Sequence, residues 1–213
     1  MEESKLDLII SVLDRISPRE ITFLEPHDPF QFLISVILSA QTTDASVNKV
    51  TPALFARYPD QRALAKADIE EVKAIIRPTG FYNTKARNII AASQMLCERY
   101  PDSFPMTIEA ISSLPGAGRK TANCVLGSVF GQSAIIVDTH FGRVVGRLMG
   151  PSYTLDPTAL ELKLKAEMNP KDTYRFSMTA NLFGRTTCHA RNPQCQSCPL
   201  SSLCCYFQEH SKA

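Results

Sequence analysis

The stretch Leu114-Pro115-Gly116-Ala117-Gly118-Arg119-Lys120-Thr121-Ala122-Asn123 is followed, eighteen positions after its lysine, by Asp138-Thr139-His140. Ile108 and Ile111 precede it at helical spacing, two glycines break the chain, and Val125, Leu126, Val129 and Phe130 resume the helical period. This pattern predicts a helix, a hairpin and a second helix. Gly116 and Gly118 permit positive φ and remove side-chain bulk, so backbone N–H groups entering the second helix can approach a phosphate closely. Lys120 falls in that helix's first turn, a position that disfavours a cation and so favours an amine available for nucleophilic attack. Taken alone, the same residues also fit a tight turn followed by a solvated surface lysine. Asp138 stands where an N-cap belongs, ahead of the helical run Val144, Val145, Leu148 and the stop signal Gly150-Pro151.

The chain of 213 residues is 44% hydrophobic and 21% charged, the composition of a globular protein with one large or two small cores. A net charge of +2 does not by itself argue for a nucleic-acid partner, but the distribution does. Between Leu114 and Met149, Arg119, Lys120, Arg143 and Arg147 stand against Asp138 alone. The start, Met1-Glu2-Glu3-Ser4, is acidic where a secretory signal would be basic. The longest apolar run, around Phe32 to Ala40, falls well short of the roughly 20 residues a membrane span needs. A cytoplasmic protein without a membrane partner is expected. Seven cysteines, an odd number, argue in that compartment against a disulfide framework.

The remaining periodicity is helical. Leu6, Ile9, Ile10, Leu13 and Ile16 line one face of an N-terminal helix, after which Ser17-Pro18 and Glu25-Pro26-His27-Asp28-Pro29 punctuate a crossing between lobes. Phe30 to Ala40 is apolar nearly all round, as a helix enclosed by others should be. Thr43 or Asp44 caps the next helix, in which Pro52 predicts a kink or break near Asn48 to Thr51. Ile69 to Ile76 forms a short helix, Arg77-Pro78-Thr79-Gly80 turns the chain, and Ala86 to Tyr100 carries a long 3.6-residue period. Asp156-Pro157 opens one further helix and Asp172 another, ending at Gly184. Only Ile21–Leu24 and Ala134–Val137 look strand-like, too little for a sheet. The fold class is all-α.

Cys188, Cys195, Cys198 and Cys204 lie in one 17-residue window at intervals C-x6-C-x2-C-x5-C, with Cys205 adjacent. Four such thiols in a cytosolic chain imply a metal. Spacing leaves zinc and a four-iron cluster both open, the wide and uneven loop suiting the cluster better. Cys97 and Cys124 sit on helical faces and read as small core residues.

Together, Leu114 to Asn123, Val137-Asp138-Thr139-His140, the cysteine loop and Leu38-Ser39-Ala40-Gln41-Thr42-Thr43-Asp44 resemble endonuclease III, the bifunctional glycosylase family of the helix-hairpin-helix superfamily. The similarity runs from about Asp28 to Tyr206. It implies a two-lobed protein, with a six-helix barrel over residues 22–133 and a discontinuous iron–sulfur lobe of residues 1–21 and 134–213. It also implies a [4Fe–4S] cluster on Cys188, Cys195, Cys198 and Cys204, duplex DNA bound across the cleft between lobes, Lys120 as nucleophile and Asp138 as assisting carboxylate. Gln41 matches the residue that fills the gap left by an extruded nucleotide. Phe81 matches a second wedge, aromatic where the family often has an aliphatic side chain, and Ser112 stands where some relatives carry an acid. Leu114, Gly116, Gly118, Arg119, His140, Arg143 and Arg191 complete the implied DNA contacts.

The activity so implied is removal of oxidised pyrimidines from duplex DNA and strand cleavage at the abasic site, by a monomer associated with the nucleoid in a bacterium. Two other readings compete: a superfamily glycosylase narrowed to another lesion or to abasic sites, and a non-catalytic DNA-binding module with a structural metal. Lys120 argues for the lyase, because a water or hydroxyl in its place could not form an imine.

Overall fold

The computed structural model describes residues 4–25 and 28–210. Residues 26 and 27, within the proline-punctuated crossing, lie outside the described residues. The chain divides into two compact units, Thr22–Gly131 and the pair of segments Met1–Ile21 and Gln132–Ala213. Helices joined by turns and irregular segments make up the described residues, and no strand forms among them.

Helix α1 (Lys5–Ile16) opens the discontinuous unit. A reciprocal cap starts it: the Ser4 hydroxyl accepts from the Asp7 N–H at 3.2 Å, and the Asp7 carboxylate accepts from the Ser4 N–H at 3.1 Å. Leu6, Ile9 and Leu13 bury the apolar face, while Ile16 is left exposed at the last turn.

The Thr22–Gly131 unit is built round α2 (Pro29–Leu38), whose residues from Phe30 to Leu38 are buried with the exception of Gln31. Asp28 caps it through the N–H groups of Phe30 and Gln31, with Pro29 pre-setting the first helical φ. Helix α3 (Asp44–Arg57) is capped by Thr43 and continues through Pro52, so of the kink or break expected there the break does not form. Buried Val47, Val50, Thr51, Leu54 and Phe55 hold both halves of α3 in the core, which offsets the hydrogen bond that proline removes. Short α4 (Gln61–Ala65), capped by Asp60, and α5 (Ile69–Ile76), capped by Asp68, follow. A 3-10 turn over Arg77–Thr79 leads through Gly80 and Phe81 into α6 (Tyr82–Arg99). The unit closes with α7 (Ile108–Ser112) and α8 (Arg119–Phe130), which pack together.

The chain re-enters the discontinuous unit at Gln132. Ala134, Ile135 and Ile136 are buried there without a ladder partner, the Ala134 N–H donating instead to the Thr173 hydroxyl at 3.2 Å. Then come α9 (Thr139–Met149), α10 (Pro157–Glu167), α11 (Thr173–Thr186) and α12 (Cys205–His210). Asp172 precedes α11 but makes no side-chain cap, contrary to expectation, and its own backbone is already helical. Gly184 does not end α11 either. A Cβ there would come within 3.0 Å of His140 Cβ and 3.1 Å of its carbonyl oxygen, so this glycine serves the close approach of α11 to α9. Phe141 and Phe176 meet edge to face at 5.5 Å in the middle of this core.

Candidate active site and cysteine loop

The hairpin between α7 and α8 is tight for identifiable reasons. Leu114 is 2% exposed and anchors the turn in the core, so it can offer DNA only backbone. The Ala117 N–H donates to the Leu114 carbonyl at 3.0 Å, and Gly116 takes φ +79°. A Cβ on Gly116 would meet Asn88 at 2.9 Å and Ile37 at 3.0 Å, whereas one on Gly118 would meet nothing within 4 Å. Gly118 is the N-cap of α8 and, having no side chain, leaves that helix end without a side-chain cap. Arg119 and exposed Lys120 are its first two residues.

One turn beyond Lys120, burial pushes the Cys124 thiol up to about 12, with the Lys120 charge opposing the shift. A thiol held protonated in this way is a poor nucleophile, so it does not compete with the neighbouring amine. The Ser112 hydroxyl is buried and is the one such side-chain atom among the described residues that makes no hydrogen bond.

Gln41 and Phe81 also belong to the Thr22–Gly131 unit. Both are exposed, Phe81 by 66%, and both hold positive φ, 53° and 47°. Asn192, in the cysteine loop, is the other non-glycine residue with positive φ among the described residues. Left-handed backbone is uncommon for any residue with a Cβ and marks a position over-determined by its surroundings.

In the other unit, Asp138 caps α9, its Oδ1 accepting from the Phe141 N–H at 2.8 Å. Its Oδ2 accepts from Asn181 Nδ2, a partner that nothing in the local sequence announces beyond a carboxamide on a buried helical face. Arg143 donates from Nε to the Cys188 carbonyl at 3.1 Å and from Nη2 to the Gly184 carbonyl at 2.8 Å, and touches His140 Nδ1 at 3.3 Å. It braces α9 to the residues around the cysteine loop. Arg191 is exposed on that loop.

The four spaced cysteines line one pocket together with Arg147 and Leu148. The Cys198 and Cys204 thiols are raised chiefly by burial, and each also feels Cys188 and Cys195. Arg147 donates to Cys188 Sγ at 3.4 Å and to the carbonyls of His189 and Ala190, while its guanidinium covers the Tyr206 ring at 4.6 Å. Cys205 is not among the pocket residues; its Sγ accepts from Lys5 Nζ at 3.1 Å. Among the described residues no three His, Cys, Asp or Glu side chains converge tightly enough for one metal ion. Four thiols that line one pocket without converging on a point fit a polynuclear cluster better than a single tetrahedral ion.

Residues 34–170 match the model of the HhH-GPD superfamily base excision DNA repair proteins, and residues 188–204 match the iron-sulfur binding domain of endonuclease III. A relative from Synechocystis, endonuclease III, is 42% identical over 92% of this chain and 90% of its own length. The chain belongs to the endonuclease III family. The family's Escherichia coli K12 enzyme is 38% identical over 98% of this chain and 99% of its own. A solved non-covalent complex of an endonuclease III with DNA superposes with TM-score 0.91 at 35% identity, covering 100% of both chains. A trapped covalent intermediate of an endonuclease III with DNA gives TM-score 0.91 at 36% identity and 99% coverage of both. The all-α fold and a [4Fe–4S] cofactor on the C-terminal cysteines are thus those of the endonuclease III family.

Proposed function

We propose that this chain is a base-excision repair glycosylase with abasic-site lyase activity, which removes oxidised pyrimidines from duplex DNA and cleaves the strand through an imine on Lys120. The observation that carries this reading is a lysine at the second position of a helix whose glycine N-cap supplies no side chain. A phosphate can approach that helix end, and the amine then stands beside the sugar it must attack. In the first step Lys120 Nζ bonds to C1′ as the glycosidic bond breaks, and the departing base takes up a proton. The attached nitrogen then loses a proton, and its lone pair expels O4′ from C1′; the sugar ring opens, O4′ takes up a proton, and the iminium is left at C1′. Removal of a C2′ proton then drives out the 3′ phosphate, and hydrolysis of the remaining imine frees the lysine.

Asp138, as the anion, stabilises positive charge developing on the sugar. Gln41 and Phe81 enter the duplex where the damaged nucleotide has left it, and their exposure supports that use. Leu114, Gly116, Gly118 and Arg119 present backbone and charge to the phosphates from the hairpin; His140, Arg143 and Arg191 do so from the other unit. Cys188, Cys195, Cys198 and Cys204 would hold the cluster, which supplies a cross-link fixing the loop rather than a chemical step. Residues 22–133 would form the barrel domain and 1–21 with 134–213 the cluster domain, working as a monomer on chromosomal DNA in the cytoplasm.

Borohydride reduction on DNA with an oxidised pyrimidine or an abasic site tests the reading. Wild type should become covalently attached, whereas Lys120→Gln should lose attachment and cleavage but keep affinity for abasic-site DNA. Attachment persisting in Lys120→Gln would remove Lys120 as the nucleophile.

A further inference from the structure

The Asp138 carboxylate has a partner on each oxygen, and only one of them is explained by helix capping. Oδ1 accepts from the Phe141 N–H, as an N-cap must. Oδ2 accepts from Asn181 Nδ2, on a helix 43 residues further along the chain. Asn181 is 6% exposed, and its carboxamide oxygen accepts in turn from Arg185 Nε at 2.8 Å. A guanidinium only donates, so Arg185 requires the Asn181 oxygen to face it and turns the amide N–H toward Asp138. The contact also depends on how closely α11 packs against the start of α9. Gly184 permits that approach, and Arg143 locks it by donating to the Gly184 carbonyl at 2.8 Å.

We propose that Asn181 is a positioning residue for Asp138, set by Arg185 to hold the second carboxylate oxygen and so fix where the anion points during base release. A capping carboxylate with one free oxygen can swing about χ2; one gripped at both oxygens presents its charge in a single direction. Such preorganisation acts on the transition state and not on the affinity for DNA. The inference rests on the assignment of Asp138 in the proposed function and adds a residue to it. A buried asparagine in a helix interior is otherwise a poor choice, since it favours caps and turns.

Single-turnover base release and DNA affinity, measured beside a melting curve and the cluster absorbance, test it on the cluster-loaded protein. Asn181→Leu removes the donor at similar volume, and Asn181→Asp replaces it by an acceptor while keeping the shape. Both should lower the single-turnover rate by about ten- to a hundredfold while changing Kd less than about twofold. In an Asp138→Asn background, Asn181→Leu should lower the rate no further, because the two act as one unit. Retention of the wild-type rate by both variants overturns the inference, as does a rate loss matched by equal losses of affinity and melting temperature. Absence of base release and of borohydride trapping in wild type would instead overturn the proposed function.

Discussion

Lys85 is 5% exposed, and its Nζ donates to the Thr79 carbonyl oxygen at 2.8 Å. That carbonyl ends the 3-10 turn, immediately before Gly80 with φ +66° and Phe81 with φ +47°. The amine thus fastens the last regular residue before the two left-handed ones that present Phe81. Burial lowers the Lys85 ammonium below its ordinary range.

Lys85→Met should therefore destabilise the protein by about 1–3 kcal/mol, the cost of leaving a buried carbonyl without its donor. The pH dependence has a definite sign. Native Lys85 binds fewer protons than the unfolded chain between its lowered value and the ordinary 10.5, so wild-type stability rises with pH across that window. The gap between wild type and Lys85→Met should widen from neutral pH towards 10.5 in denaturant titrations. A gap that narrows would contradict the burial account.

The two hairpin glycines should part company. Gly116→Ala places a methyl on left-handed backbone within 3.0 Å of Asn88 and Ile37, and should lower the melting temperature by several degrees. Gly118→Ala meets no protein atom within 4 Å, and φ of −119° suits any residue. It should fold nearly as wild type yet bind DNA several-fold more weakly, because the methyl stands where a phosphate approaches. Equal melting losses in both would show that Gly118 is structural.

Phe81→Ala and Gln41→Ala should slow base removal from paired duplex by about tenfold or more, since an aromatic wedge offers roughly 1–3 kcal/mol of stacking. Cleavage at a pre-formed abasic site should suffer less, as no base has to be unpaired. With 66% of Phe81 exposed, its loss should barely move the melting curve. A lowered melting point with both activities falling together would make Phe81 a packing residue instead of a wedge.

Purified protein should be brown and carry iron and acid-labile sulfide, both lost in Cys195→Ser and Cys198→Ser. Cys205→Ser should keep its colour, because that thiol faces Lys5 and lies outside the pocket lined by the other four. The opposite pattern would mean that the ligands are misassigned by one residue.

Helices with a cap and an apolar stripe were legible in the sequence: Thr43, Asp138 and Asp156 all cap where the residue pattern puts them. Misreadings arose where tertiary packing overrides a local signal. Gly184 did not stop α11, because it is a point of contact with His140, and of the kink or break expected at Pro52 the break does not form, since the two halves of α3 share one core. Asn181 was invisible for a related reason. A hydrogen bond between residues 43 apart leaves no periodic trace, and the pattern marks only the buried face on which it lies.

Gln41 and Phe81 occupy backbone conformations in which glycine or asparagine would rest with less strain. Phe81 adds an exposed aromatic surface, so nothing in the folded chain's own stability favours it there. Laboratory evolution that rewards heat resistance alone should drift to Gly or Asn at both positions and discard lesion search unnoticed. Selection on repair should hold the strained residues in place. On the role proposed for Gln41 and Phe81, these two loops mark where survival of the genome and robustness of the molecule pull a lineage in opposite directions.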